Sequence, residues 1–136
     1  MKKLIDTNVI LDFPKTLEKE DLIISVKVLK ELDGLKKSPN KETAEKARRA
    51  AVYISRRMND LEFDLDEEQI PTDDLLLKLA STKHYGIVTN DVYLKIRARA
   101  QGIQVEGSGR EEEYTGIYNL YLRLDDNGYN DVLDRL

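Results

Sequence analysis

The segment Leu4-Ile5-Asp6-Thr7-Asn8-Val9-Ile10-Leu11 contains two apolar runs separated by one polar stretch, Asp6-Thr7-Asn8. A buried strand that ends in a carboxylate and is followed at once by a hydrophobic segment is typical of α/β folds, which present acids at the carboxyl edge of a sheet. An isolated buried carboxylate is unfavourable unless it is paired, hydrogen-bonded or bound to a metal ion. The segment therefore predicts a first core strand and makes Asp6 a candidate functional residue, although an acid that ends a strand is also ordinary turn chemistry.

Strands and helices alternate along the rest of the chain. Apolar runs and alternating residues predict strands at 21–26, 61–65, 87–89 and 103–105. Apolar residues at helical spacing predict helices at 28–35, 42–58, 73–84 and 92–100. Strands separated by helices imply a parallel sheet that is covered on both faces. The sequence thus predicts an α/β fold.

Some boundaries carry local signals. Ser38-Pro39 is expected to open the long third helix, because proline suits the first turn of a helix. Thr72 is a good N-cap for the next helix, and Gly86 is expected to end it. Pro14 predicts a break after the first helical segment, because proline biases Phe13 away from helix.

The composition is that of one intracellular domain. At 136 residues the chain is long enough to bury a core. It has no cysteine, which excludes a disulfide framework and a thiolate zinc site and fits a reducing compartment. No apolar run approaches the ~20 residues that a membrane span needs, and the first residues do not form a signal peptide. We therefore expect a soluble, cytoplasmic protein.

Charge is distributed unevenly along the chain. The net charge is −4, yet residues 36–57 contain eight Lys or Arg against two acids. Residues 106–136 contain eight acids against three Arg. The basic segment is either a site for a phosphate backbone or a solvated helix face. We expect a core domain over residues 1–107 and an acidic, tyrosine-rich appendage over residues 108–136.

Four acids share one type of position. Asp6 and Asp91 directly follow apolar strands, Glu31 lies in the first turns of a helix after a strand, and Asp73 opens a helix. The carboxyl ends of parallel strands and the N-termini of the helices lie along one edge of the sheet, where ligand sites form. Carboxylates brought together repel one another unless a cation holds them. Oxygen ligands favour Mg²⁺ or Mn²⁺ over zinc, and such ions activate water and bind phosphoryl oxygens.

Four blocks of sequence carry these acids. The most telling block is Val28-Leu29-Lys30-Glu31-Leu32-Asp33-Gly34-Leu35-Lys36. The other three are Ile5-Asp6-Thr7-Asn8-Val9-Ile10-Leu11, Thr72-Asp73 with Leu76, Leu77 and Ala80, and Ile87-Val88-Thr89-Asn90-Asp91 with Leu94-Lys95-Ile96-Arg97-Ala98. In this order the blocks resemble a PIN domain, in the version found at the N-terminus of PhoH-like PIN–ATPase proteins. The resemblance covers residues 3–118 approximately.

The resemblance implies a three-layer α/β/α sandwich with a central, mainly parallel sheet, and Mg²⁺- or Mn²⁺-dependent cleavage of single-stranded RNA. It assigns catalytic and metal-ligand roles to Asp6, Glu31, Asp73 and Asp91. Asn8 and Thr89 match supporting positions that orient ligands or water. Asp73 is preferred to Asp74 because it keeps the following apolar residues in the family register, and Asp74 is the alternative.

Two features depart from the family pattern. The position two after Asp91 is usually Asp or Asn in such domains but is Tyr93 here, which leaves open whether one metal ion or two are bound. No Gly-x-x-x-x-Gly-Lys-Ser/Thr stretch is present, so the ATPase half of the PhoH-like proteins is absent from this sequence. Tyr114-Thr115-Gly116 resembles the segment that precedes that half, which makes the appendage a candidate surface for a partner protein or for oligomer formation.

The predicted function is that of a hydrolytic ribonuclease. Candidates for contacts with the phosphate backbone are Lys36, Lys37, Lys46, Arg48, Arg49, Lys95 and Arg97. Tyr93 is either a base-stacking residue or a packed ring, and His84, near a helix end, is expected to be structural. Two alternatives remain: a non-catalytic PIN-like module that binds RNA or a protein, and a toxin-type PIN ribonuclease.

Overall fold

The computed structural model describes residues 1–108 of the chain. The strands among them are β1 (Lys3–Ile5), β2 (Leu22–Ser25), β3 (Glu62–Asp64), β4 (Gly86–Val88) and β5 (Val105–Glu106). The helices are α1 (Thr7–Asp12), α2 (Val26–Leu35), α3 (Lys41–Arg57), α4 (Thr72–Lys83) and α5 (Val92–Ala100), and a short 3-10 helix spans Pro14–Glu18.

The five strands form one parallel sheet in the order β3-β2-β1-β4-β5. β1 is the central strand, and its Leu4 pairs in register with Ile23 of β2 and Ile87 of β4. Leu4 and Ile5 are fully buried, so the predicted core strand is confirmed. The predicted fold, an α/β/α sandwich around a parallel sheet, is confirmed as well.

The order of the strands creates a switch point between β1 and β4. From β1 the chain adds strands on one side of the sheet as far as β3, and then crosses back to add β4 and β5 on the other side. Helices α1, α2 and α3 pack against one another, and α4 packs against α5 and the central strands. Ligands of open α/β sheets bind in the crevice at such a switch point, outside the carboxyl ends of the strands. Asp6 follows β1 at this crevice.

Helix α3 begins later than its proline suggests. Its N-cap is Asn40, whose Oδ1 accepts a 3.0 Å hydrogen bond from the backbone N–H of Thr43, so the expectation that Ser38-Pro39 opens the helix is wrong. An amide oxygen satisfies a free N–H group of the first turn, which proline cannot do. The predicted break at Pro14 contains the short 3-10 helix.

Helix α4 also differs at both ends. Its N-cap is Pro71, so the predicted N-cap Thr72 is the first helical residue, and it ends at Lys83, followed by the C-cap His84 in the left-handed conformation with φ of 59°. Gly86 was expected to end the helix, but it is a buried residue of β4. A Cβ atom at Gly86 would lie 3.2 Å from Lys3 Cγ and 3.3 Å from the backbone oxygen of Gln104. The glycine is therefore explained by close strand packing.

Ser108, the last residue that the structure describes, packs against polar side chains of the core domain. Ser108 is buried, and its Oγ lies 2.6 Å from Oγ1 of Thr16. Its backbone N–H donates to Asn90 Oδ1 at 3.0 Å, and its carbonyl accepts from Asn90 Nδ2 at 2.8 Å. The rest of the predicted appendage, 109–136, lies outside the described residues. Along residues 1–108, no helix combines the length and the apolar character that crossing a membrane requires.

Candidate functional site

Asp6 is a buried carboxylate with two hydrogen bonds. It is the N-cap of α1, and only 5% of the residue is exposed. Oδ1 accepts from the backbone N–H of Thr7 at 2.8 Å, and Oδ2 accepts from the Thr89 hydroxyl at 2.6 Å. The local sequence explains this position, because aspartate is a preferred N-cap and the apolar residues on both sides are in the core. Its side chain is thus held in one orientation.

Thr89 and Asp91 connect the end of β4 to Asp6. Thr89 is completely buried, and its Oγ1 also accepts a 3.1 Å hydrogen bond from the backbone N–H of Asp91. Asp91 is the N-cap of α5, and its Oδ1 accepts from the backbone N–H of Leu94 at 2.9 Å. One hydroxyl therefore links two of the predicted ligands.

Glu31 is oriented by Thr7, a residue that the sequence analysis did not single out. The Thr7 hydroxyl donates to Glu31 Oε2 at 3.1 Å, and the threonine is buried while Glu31 is exposed on α2. The available signal was the position of Thr7 next to Asp6, in the turn at the carboxyl edge of the sheet. Asn8, a predicted supporting residue, is exposed in the first turn of α1.

Asp73 and Asp74 lie side by side in the first turn of α4 but have different surroundings. Asp74 forms an ion pair with Arg97 of α5. Burial raises the pKa of Asp73, and the negative charges of Asp91 and Glu31 raise it further, while the positive charge of Arg97 opposes them. These surroundings distinguish the two acids, and the preference for Asp73 over Asp74 stays a prediction.

The four predicted acids act on one another electrostatically. Burial is the main cause that raises the pKa of Asp6, and the charges of Asp73 and Glu31 add to it, while the hydrogen bond from Thr89 lowers it. Asp91 acts on Asp73 in the same sense. We call Asp6, Glu31, Asp73 and Asp91 the carboxylate cluster. Asp6 and Asp91 are the N-caps of α1 and α5, Asp73 lies in the first turn of α4, and Glu31 lies in the middle of α2.

The carboxylate cluster is open. Among residues 1–108, no three His, Cys, Asp or Glu side chains stand close enough to enclose a metal ion. Mg²⁺ commonly keeps several water molecules and takes only one or two protein carboxylates together with substrate phosphates. The oxygen donors of this cluster, two of which (Asp6 and Asp73) have a raised pKa, are consistent with a hydrated divalent ion of this type.

The predicted basic residues fall into two groups. Lys95 and Arg97 belong to α5, whose N-cap is Asp91. The other five are associated with the C-terminal part of α2 and with α3, and they are Lys36, Lys37, Lys46, Arg48 and Arg49.

The second group lies beside the C-terminal ends of α1 and α2. Lys46 pairs with Asp12 at 3.0 Å, and Arg48 lies 3.5 Å from the backbone oxygen of Lys36. Arg49 lines an open groove of about 800 Å³ with Phe13 and Ser108, and none of the four carboxylates lines this groove.

Comparisons with known proteins agree with the fold. A solved domain of a functionally unknown protein from Methanocaldococcus jannaschii DSM 2661 superposes with a TM-score of 0.58 and 20% identity, covering 80% of this chain and 92% of that one. At this identity the likeness concerns the fold alone. No curated protein matches the chain. The family model described as PIN domain matches residues 4–108. Because this match spans most of the 136 residues, the chain belongs to the PIN domain family.

Proposed function

We propose that this protein is a metal-dependent ribonuclease that hydrolyses phosphodiester bonds of single-stranded RNA at the carboxylate cluster. PIN domains are generally metal-dependent nucleases. The observation that carries the proposal is the buried Asp6 carboxylate at the switch point of the sheet, held by the Thr7 backbone N–H and the Thr89 hydroxyl. Burial and the charges of Asp73 and Glu31 also raise its pKa. Perturbed carboxylates that gather at a ligand-binding edge are typical of catalytic sites.

The donor set supports Mg²⁺ or Mn²⁺ as the cofactor. All four side chains offer oxygen, and the chain has no cysteine and a single histidine. Asp6 and Asp73 are the strongest candidates for direct ligands, because each is at least partly buried and has its pKa raised by two other members of the cluster. When bound there, such an ion activates water for attack at phosphorus and stabilises the leaving oxygen.

The chain's own residues provide orientation. Thr7 and Thr89 fix both oxygens of Asp6, and Thr7 also holds Glu31, so these carboxylates do not need to reorient when a substrate binds. Thr7 and Thr89 are therefore positioning residues. Groups that are held in place before the reaction stabilise developing charge more effectively than mobile ones.

The basic side chains supply affinity for the substrate without reading its sequence. Contacts between Lys or Arg and phosphate oxygens fix the register of a nucleic acid but carry no sequence information. Arg97 is the best placed of them, because it pairs with Asp74 and its charge acts on Asp73. Lys95 follows Asp91 by one helical turn.

The proposal extends to the subgroup and to the cell compartment. The relationship to the N-terminal PIN domain of PhoH-like PIN–ATPase proteins rests on the residues of the block 28–36, which includes Glu31 of the carboxylate cluster. A cytoplasmic location is part of the proposal, since single-stranded RNA is available there and the chain contains no cysteine.

A cleavage assay tests the proposed function. A fluorescently labelled single-stranded RNA is incubated with the protein in Mn²⁺, in Mg²⁺ and in EDTA, together with Asp6→Asn and Asp12→Asn. Asp12 is a matched control, because it lies at the opposite end of α1, is exposed and pairs with Lys46. We expect metal-dependent cleavage by the wild-type protein and by Asp12→Asn, and a loss of about 100-fold or more in Asp6→Asn.

The outcomes separate the candidate functions. Cleavage that persists in Asp6→Asn would refute the assignment of the catalytic site. RNA binding without cleavage in either metal would favour a non-catalytic binding module instead. Cleavage of single strands, but not of the same sequence in a duplex, supports the proposed substrate class.

A further inference from the structure

The first turns of α5 expose three large apolar side chains. Val92, Tyr93 and Ile96 are 62%, 80% and 58% exposed, and we call them the α5 patch. Tyr93 is therefore not a packed ring, which removes one of its two sequence-based interpretations. A contiguous exposed apolar surface beside polar residues marks a binding site more often than isolated apolar residues do.

The α5 patch borders the carboxylate cluster. Asp91 is the N-cap of α5, and Tyr93 follows it by two residues. Arg97 lies one turn after Tyr93 on the same face of the helix, since residues four apart are neighbours. Arg97 pairs with Asp74 and acts electrostatically on Asp73. Tyr93 therefore lies on the face of α5 that carries Arg97, next to the first turn of α4 with Asp73 and Asp74.

We propose that Tyr93 is a stacking platform for an unpaired base of the substrate, next to the phosphate that lies at the carboxylate cluster. The proposal rests on the proposed ribonuclease function and names the contact that selects single strands at that site. Bases of a duplex are stacked on one another and do not offer a free face, whereas an unpaired base can stack on an aromatic ring.

The positive charge of α5 is complementary to the phosphate backbone of a single-stranded RNA. Residues 92–100 contain Lys95, Arg97 and Arg99 and no acid. Proteins that bind single strands combine cations along the backbone with aromatic rings under the bases. The phenol ring of Tyr93 and the guanidinium group of Arg97, one turn away, supply both parts within one helix.

A second copy of the chain is a poorer occupant of the α5 patch. A stable protein interface buries roughly 800 Å² on each partner, which needs about 20 residues a side. Three side chains on one helix do not reach that size. A two-fold contact would also bring Arg97 and Arg99 of one copy towards the same cations of the other, which is unfavourable.

A single tryptophan provides a direct test, because the chain contains none. Tyr93→Trp is made in the Asp6→Asn background, where the RNA is not consumed, and its fluorescence is followed during titration with a single-stranded RNA of about 12 nucleotides. Val52→Trp in the same background is the control, since Val52 is an exposed apolar residue of α3. We expect quenching of Tyr93→Trp by the single strand only, and no quenching by an abasic strand of equal length or by a duplex. Quenching of both variants alike, or by the abasic strand, would overturn the proposal.

Affinity and cleavage give a second measurement. Tyr93→Phe keeps the ring and should bind and cleave as the wild-type protein does. Tyr93→Ala and Tyr93→Leu should bind a single strand about 10-fold more weakly, the order expected when one base–aromatic stack is removed. Their preference for single strands over duplexes should fall by the same factor.

The controls separate this proposal from the proposed function. If Tyr93→Ala binds and cleaves single strands like the wild-type protein, stacking is refuted while metal-dependent cleavage stands. If quenching and the loss of affinity occur but no RNA is cut in Mn²⁺, the stacking platform stands and the ribonuclease assignment fails. If sedimentation shows a dimer of the wild-type protein that Tyr93→Ala converts to a monomer, the α5 patch is an interface between copies and the stacking proposal is overturned.

Discussion

The hydroxyl of Thr89 donates a 2.6 Å hydrogen bond to Oδ2 of Asp6, across 83 residues of sequence. The same hydroxyl oxygen accepts from the backbone N–H of Asp91 at 3.1 Å. Thr89 is thus the link between the ends of β1 and β4, the two strands on either side of the topological switch point. This side chain acts together with the backbone N–H of Asp6, which donates to the Val88 carbonyl at 2.9 Å, to hold the buried carboxylate beside the N-terminus of α5.

Replacing Thr89 with valine, which has the same shape but no hydroxyl, removes both hydrogen bonds. We expect Thr89→Val to lower the free energy of unfolding by about 2 kcal/mol and the cleavage rate by roughly 10- to 100-fold. The pKa of Asp6 should rise further, because the hydrogen bond from Thr89 lowers it. The acid limb of the pH–rate profile should therefore move to higher pH. Thr89→Ser keeps the hydroxyl and should restore the wild-type profile; an unshifted acid limb in Thr89→Val would contradict the assignment of Thr89 as a positioning residue.

The adjacent acids of α4 should differ in function. Asp73→Asn removes a member of the carboxylate cluster and should reduce cleavage by about 100-fold or more. Asp74→Asn removes only the partner of Arg97 and should change the rate by no more than about fivefold, since a solvent-exposed ion pair contributes ~0–1 kcal/mol. Single-turnover cleavage of one RNA by the two variants measures the difference. An equal loss of cleavage rate in both variants would contradict the preference for Asp73 over Asp74.

Stability without metal should depend on pH through Asp6 and Asp73. Both have a pKa raised above the ordinary 3.8, mainly by burial. The folded state therefore holds protons that the unfolded state has released, and this contribution to the free energy of unfolding is lost as pH rises from 3.8 through the raised values. Urea unfolding in EDTA is measured at a series of pH values for the wild-type protein and for the double variant Asp6→Asn, Asp73→Asn. The difference between the two proteins gives the contribution of these carboxyl groups to the free energy of unfolding. We expect the variant to gain stability over the wild-type protein as pH rises in that window; a constant difference would refute the linkage.

A bound divalent ion should offset the loss of stability that ionised Asp6 and Asp73 cause. At a Mn²⁺ concentration of about 100 times its Kd, the free energy of unfolding of the wild-type protein should rise by about 2.7 kcal/mol. Asp6→Asn should lose most of this gain, whereas Asp12→Asn, whose carboxyl pairs with Lys46, should keep it. Urea unfolding with and without Mn²⁺ at constant ionic strength gives the comparison. An equal gain in all three proteins would indicate that the ion binds outside the carboxylate cluster.

Two glycines should respond in opposite ways to alanine. At Gly86, a Cβ atom would lie 3.2 Å from Lys3 Cγ and 3.3 Å from the Gln104 backbone oxygen, so Gly86→Ala should destabilise the protein by about 1–3 kcal/mol. At Gly34, inside α2, a Cβ atom would meet nothing within 4 Å, so Gly34→Ala should stabilise it by about 0.5–1 kcal/mol. Chemical denaturation of both variants tests the pair. Stabilisation by Gly86→Ala would show that the strands can separate at no cost.

The sequence by itself determined the main strands and helices and the parallel pairing of the sheet, whereas the order of the strands came from the tertiary structure. The apolar runs that end at Ile5 and Val88 predict core strands, and the 3-4 spacing of apolar residues along α3 predicts a helix, because these patterns depend only on which residues are buried. Alternation of strands and helices then requires parallel pairing. The position of Asp6 at the carboxyl edge followed from that topology alone. Where two local signals compete, as at Pro39 and Asn40, sequence reasoning placed the boundary incorrectly.

Only the tertiary structure decided which polar groups meet. The link between Thr89 and Asp6, the contact between Thr7 and Glu31, and the pairing of Asp74 with Arg97 each join residues from different elements. From the sequence alone, a glycine such as Gly86 fits either a helix end or a closely packed strand. The position of the neighbouring Gln104 backbone shows that the second explanation applies. Periodicity and capping are local properties and can be read from neighbouring residues. Hydrogen bonds, ion pairs and shared electric fields between distant segments depend on how the helices pack on the sheet, and that packing is a property of the whole fold.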